Sequence, residues 1–225
     1  MKRTFPIILT LIFFTMFTHA QSMQEVTVSN GQTTFSLFAP QKAKSVKVRI
    51  YNEGQAKKAT KVIPLKYDAG RWVATVSQNL TGKYYTFQVN NMKECPGIFA
   101  KAVAVNGRRA YIADMASTNP EGWDTDRHPV VEKAVDHVLY ELHFRDFSID
   151  QSSKLQYKGK FLALTEPHAI EHLKTLGVNA VHILPSFDFG SIDETTLEKN
   201  QYNWGYDPMN YNVPEGSYST DPYTP

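Results

Sequence analysis

His172-Leu173-Lys174-Thr175-Leu176-Gly177-Val178-Asn179-Ala180-Val181-His182-Ile183-Leu184-Pro185 reads as the last turns of a helix, a glycine stop and then a nearly all-apolar strand. A strand with so few polar interruptions is expected in a parallel sheet covered on both faces. Working backwards, Pro167 suits the first turn of the helix, Ile170, Leu173 and Leu176 supply its apolar stripe, and Gly177 ends it. Further upstream, residues 138–147 alternate as a strand, with Val138, Tyr140, Leu142 and Phe144 on one side and Glu141, His143 and Arg145 on the other. Strand, helix, strand over this length is a βαβ unit. The chain from Pro185 onward leaves the carboxyl end of the second strand, the end at which α/β barrels carry their ligand sites.

That segment holds the candidate site, Tyr202-Asn203-Trp204-Gly205-Tyr206-Asp207-Pro208. Flat aromatic faces pack on the apolar C–H face of a pyranose, and an amide and a carboxylate bond its hydroxyls. Gly205 lets the backbone turn between the rings, and Pro208 stiffens the backbone at the end of the run. The plainer reading is an aromatic plug that pins a long loop to the core.

The first half of the chain has a different period. Residues 33–39, 46–51, 71–76 and 83–89 read as strands; Val46, Val48 and Ile50 alternate with Lys47, Arg49 and Tyr51, and Tyr85, Phe87 and Val89 share a face. Asn30-Gly31, Asn52-Glu53-Gly54, Asp68-Ala69-Gly70 and Thr81-Gly82 supply the turns. Short strands at this spacing without intervening helices predict an antiparallel β-sandwich over residues 21–117. Trp72 and Tyr84 read as core rather than as a sugar platform. Residues 118–137, with Asn119-Pro120, Glu121-Gly122 and His128-Pro129, form a linker. The patterns thus give a β-sandwich followed by a βαβ unit.

Lys2 and Arg3 precede an apolar run from Ile7 to Phe17, and Thr18, His19 and Ala20 offer small residues for cleavage, so residues 1–20 read as a secretory signal peptide. The run is too short for the roughly 20 residues of a membrane span, and none is expected in the mature chain. With 24 basic and 22 acidic residues the net charge is +2, which gives no single-signed surface for nucleic acid. Cys95 is the single cysteine, so no internal disulfide forms, and it reads as a small packed residue rather than a nucleophile.

Three stretches together carry a resemblance: Val138-Leu139-Tyr140-Glu141-Leu142-His143-Phe144-Arg145-Asp146-Phe147-Ser148, the stretch from His172 to Pro185, and the heptad from Tyr202 to Pro208. They resemble the opening of the catalytic barrel of type I pullulanases, in the α-amylase superfamily, and the heptad is the family's α-1,6-debranching signature; the resemblance implies a β-sandwich followed by the start of a (β/α)8 barrel that stops after about two strands. Residues 34–40 and Phe99-Ala100-Lys101-Ala102-Val103-Ala104-Val105-Asn106-Gly107 are similar to the immunoglobulin-like carbohydrate-binding module that precedes that barrel. The resemblance implies a secreted retaining glycosidase of pullulan, starch dextrins or glycogen, with an aspartate nucleophile and a glutamate acid about 5 Å apart. It implies Tyr206 as the platform under the sugar at the cleavage point, Asp207 as the grip on that sugar's hydroxyls, and Trp204, Asn203 and Tyr202 as wall and loop. A barrel takes about 250 residues, far more than residues 138–225, so the catalytic pair is expected beyond residue 225, none within this chain. The expected partner is an α-glucan polysaccharide or branched malto-oligosaccharide. No cofactor is indicated, and calcium dependence is left open. The alternatives are a non-catalytic α-glucan-binding fragment or part of an isoamylase or branching-type enzyme.

Competing motifs are weaker. His168-Ala169-Ile170-Glu171-His172 matches the inverted zinc-peptidase pattern but falls on the outer helix, so no metal site is expected there. Arg145 and Asp146 read as a structural ion pair. Asp188, Asp193, Glu194 and Glu198 read as solvated surface charge.

Overall fold

The computed structural model describes residues 24–225. The signal peptide expected over residues 1–20 lies outside the described residues. Most of the regular structure is strand, with few helices.

Eight strands fill the first half: β1 (Val26–Ser29), β2 (Gln32–Leu37), β3 (Val46–Tyr51), β4 (Lys61–Pro64), β5 (Lys66–Asp68), β6 (Arg71–Val76), β7 (Tyr84–Val89) and β8 (Ala110–Tyr111). They form two four-stranded antiparallel sheets, ordered β1-β2-β6-β5 and β4-β3-β7-β8. The period-two pattern aims Phe35 and Leu37 from one sheet and Val46, Val48, Ile50, Tyr85 and Phe87 from the other into one core. Phe35 meets Tyr85 and Phe87 edge-on across the sheets, with ring centroids 5.9 and 6.5 Å apart. Edge-to-face pairs of this kind add about 0.5–1.5 kcal/mol to area burial. Trp72 packs half-buried against the same core, with its indole N–H on the Pro40 carbonyl at 3.3 Å.

Two expectations fail in this half. Tyr51 does not join the wet face: it is buried, its ring carries the Arg109 guanidinium 3.9 Å from the centroid, and its hydroxyl donates to Glu94 at 2.5 Å. Cys95 is exposed rather than packed, held in place by backbone bonds to Phe87.

After Ile112 the chain runs through short 3-10 turns, and almost all of residues 114–139 are exposed. The second half then contains β9 (Leu139–Leu142), α1 (Phe144–Ser148), α2 (Pro167–Thr175), β10 (Ala180–Ile183), β11 (Phe187–Phe189) and β12 (Pro208–Pro214). β9 and β10 pair in parallel with Glu141 opposite His182, and the His182 Nδ1 lies 3.1 Å from the Glu141 carboxylate. The βαβ unit is therefore real, but its first strand is shorter than residues 138–147. His143 leaves the ladder because its ring accepts from the Asp146 N–H and so caps α1, while Phe144 turns into a cluster with Phe189, Ile192 and Tyr218. Nor do the described residues cover β10 on both faces, since Val181 is 40 % exposed and Ile183 is also open.

The halves are docked. Val213 of β12 enters the core between the two sheets, the Asn212 amide donates to the Ile98 carbonyl at 2.9 Å, and Asn210 donates to the Gly107 carbonyl at 3.2 Å. Among the described residues no helix is long and apolar enough to cross a membrane.

Amide protection should follow burial. Hydrogen exchange is expected to be slowest in β3 and β7 and markedly faster in β9 and β10, whose apolar side chains face solvent. Equal protection in the two pairs would contradict this division.

Candidate functional site

The heptad lies in the connection between β11 and β12, which pair antiparallel, and runs directly into β12 at Pro208. Its foot is fixed at Gly205, where φ is +87° and any Cβ would collide with the Pro185 carbonyl at the exit of β10. Only glycine satisfies both the left-handed backbone and this approach.

Asn203 organises the loop around that foot. Its side-chain oxygen accepts from the Gly205 N–H at 2.9 Å, and its amide nitrogen donates to the Ser191 hydroxyl and to the Asp207 carboxylate. Its backbone carbonyl meets His143 Nε2 at 3.0 Å. The bond from Asn203, seconded by Ser191, holds the Asp207 carboxyl below the usual carboxylate range, so Asp207 is an anion at neutral pH.

The rings differ in their freedom. Tyr202 packs edge-on to Trp204 at 6.1 Å, donates to Asp146 at 3.1 Å and lies 5.5 Å from the Arg145 guanidinium. Desolvation, together with the Asp146 carboxylate, pushes its phenol up. Arg145 and Asp146 form the expected ion pair at 3.1 Å, and the structure adds their grip on Tyr202. Trp204 is 58 % exposed and Tyr206 68 %, and Tyr206 makes no hydrogen bond or ring contact with the described residues. The five residues read from the sequence thus converge on one loop, with Tyr202 and Asn203 bound into its frame and Trp204, Tyr206 and Asp207 presented outward. A buried aromatic plug is excluded for Tyr206.

No protein-family model matches the chain. The pullulanase of Bacillus subtilis (strain 168) is 35% identical over 207 residues, which are 86% of this chain and 27% of that protein. A pullulanase variant from Paenibacillus barengoltzii, solved complexed with maltotriose, superposes with a TM-score of 0.87 at 41% identity over 92% of this chain and 34% of that one. The pullulanase of the same organism, complexed with maltohexaose and alpha-cyclodextrin, gives 0.85 at 43% identity over 89% and 33%. The chain matches the N-terminal part of type I pullulanases. It spans about a quarter to a third of the length of these pullulanases.

The residues that support the heptad from below lie outside the motifs read from the sequence. Tyr218 is buried among Phe144, Phe161 and Phe189, and its hydroxyl lies 2.9 Å from His143 Nε2. Asp188 and Glu194 are not solvated surface charges: both are buried beside Glu215, with carboxylate oxygens of all three within 4.8 Å of one another. Three acids so close are expensive to ionise together. Asn210 donates to Asp188 at 2.6 Å, and the Phe189 and Ser217 N–H groups donate to Glu215 at 2.9 Å each. Glu194 exchanges bonds with Asn106 across the seam between the halves: its carboxylate accepts from the Asn106 N–H, and its own N–H donates to the Asn106 side chain at 2.8 Å. The trio is the one group of His, Cys, Asp or Glu among the described residues compact enough to hold a cation; His168, Glu171 and His172 do not form one. Asp188, Glu194 and Glu215 stand apart along the chain with no spacing pattern that marks them as a group.

Burial raises all three carboxyls. Glu194 is pushed up to about 7, by burial first and then by the charges of Glu215 and Asp188, against the pull of the Asn106 N–H. The folded chain binds this proton more tightly than the unfolded one. Its contribution to stability is therefore complete below pH 4.5 and lost as pH rises through about 7. In thermal melts at fixed ionic strength, Tm is expected to fall between pH 5 and pH 8, and Glu194→Gln to flatten that fall. A Tm that rises across this interval in the parent chain would contradict the assignment.

Proposed function

We propose that the chain is the N-terminal part of an exported debranching enzyme that hydrolyses α-1,6-glucosidic linkages of pullulan, starch dextrins or glycogen with retention. In this reading residues 21–117 are an immunoglobulin-like carbohydrate-binding module, residues 118–137 a linker, and residues 138–225 the first part of a (β/α)8 barrel. The observation that carries it is the free Tyr206 ring, standing beside an ionised Asp207 on a loop whose foot is locked against the exit of β10. Loops at the carboxyl ends of barrel strands are where such enzymes hold substrate.

The groups on the loop define its chemistry. A phenol ring under the pyranose at the cleavage point packs on its C–H face and favours the flattened, oxocarbenium-like ring over the relaxed chair. Asp207, held by Asn203, accepts from hydroxyls of the same sugar, and Trp204 borders the neighbouring glucosyl unit. Asp207 positions substrate and is not the nucleophile. The acid and nucleophile of the retaining reaction are assigned to no residue of this chain. The malto-oligosaccharides in the Paenibacillus barengoltzii complexes support the substrate class.

Tyr206→Ala should leave the fold intact, since the ring has no partner among the described residues. In a maltotriose titration followed by Trp204 fluorescence, affinity is expected to drop about three- to tenfold, the worth of one stacked ring. In the complete enzyme the same change should lower kcat more than it raises KM. An unchanged titration would remove the platform role.

A further inference from the structure

We propose that His143 is the positioning residue of the substrate loop: its Nε2–H bond to the Asn203 carbonyl sets where Trp204, Tyr206 and Asp207 stand. The proposal deepens the saccharide reading of the loop and rests on it for its functional meaning. The positioning role itself stands on geometry alone.

His143 is only 6 % exposed and sits where the end of β9, the heptad and the turn at Gly216–Tyr218 meet. Both ring nitrogens are engaged. Nδ1 accepts from the Asp146 N–H at 3.3 Å, which places the ring proton on Nε2. That proton is shared between the Asn203 carbonyl at 3.0 Å and the Tyr218 oxygen at 2.9 Å. The face of the ring is occupied too, since it lies 5.7 Å from the rings of both Tyr202 and Tyr218. A side chain this enclosed touches no saccharide, so any influence on binding is transmitted.

The path of transmission is short. Asn203 is the residue whose side chain holds Asp207, Ser191 and the Gly205 N–H. The other backbone link from the loop to this neighbourhood, Gly190 N–H to the Asp207 carbonyl, is long at 3.4 Å. Releasing the Asn203 carbonyl therefore frees the residue that holds Asp207, Ser191 and the Gly205 N–H, leaving the Tyr202 bond to Asp146 as the neighbouring tie. It also leaves a part-buried acceptor without its donor.

The two functions of the ring can be separated. Asparagine at this position reproduces the Nδ1 side and remains a good cap for α1, but does not reach Asn203. Glutamine reaches the Nε2 position and keeps the donor, but loses the cap. The experiment compares the 225-residue chain with its His143→Asn and His143→Gln variants by amide exchange and by the Trp204 indole resonance. Exchange in β3 and β7 serves as the check that each variant folds.

His143→Asn is expected to speed exchange of the Gly205 amide about tenfold or more and to shift the Trp204 indole signal, with His143→Gln staying close to the parent. A maltotriose titration should rank the three chains in the same order. Unchanged Gly205 exchange in His143→Asn, or equal loss in both variants, would overturn the proposal, the latter because it would reveal bulk packing rather than the Nε2 bond. If the parent chain binds no maltotriose while the exchange order holds, the positioning role stands and the saccharide reading falls.

Discussion

Asn203 is bound at both its backbone and its side chain, and the loop hangs from it. A loop that presents aromatic rings to solvent gains little from those rings and must be held from below. Here the holding is done by short polar bonds: the carbonyl to His143, and the side chain to Ser191, Asp207 and the Gly205 N–H. Gly205 closes the arrangement because its missing side chain lets the loop sit against the Pro185 carbonyl. The result is rigidity under the loop and freedom above it, which suits a platform that meets a flat ligand.

Polar bonds also govern the seam between the halves. Asn106 adopts a left-handed backbone with φ of 60°, a conformation asparagine tolerates, and so turns both its N–H and its side chain toward Glu194. Gly107 beside it leaves room for the Asp188 carboxylate. The buried acids near this turn lie against Asn106 and Gly107, so their environment is built from both halves.

Much of the architecture was legible. Alternation in residues 46–51 and 84–89, the turn dipeptides, and the Pro167-to-Gly177 helix all appear near their expected places, because period and punctuation are local properties of the chain. The five heptad residues were legible as one group for the same reason, being contiguous, and the structure keeps them on one loop. His143, Tyr218, Asp188, Glu194 and Glu215 were not, and they fail together for one cause. A histidine in an alternating strand, a tyrosine near the end of the chain and scattered acids have no sequence signature until folding brings them into contact. Strand β9 was overextended because the capping bond that ends it depends on where the His143 side chain points, which alternation does not report.

By itself the sequence determined the period of each half, the places where the backbone turns, and the set of aromatic, amide and carboxylate groups on the loop. Tertiary structure alone decided which of those groups are free and which are frame, that three acids share one buried space, and that a capping histidine reaches across to the loop. The physical reason is the range of the forces: conformational preference acts within a few residues, whereas burial and hydrogen-bond partnership join groups far apart along the chain.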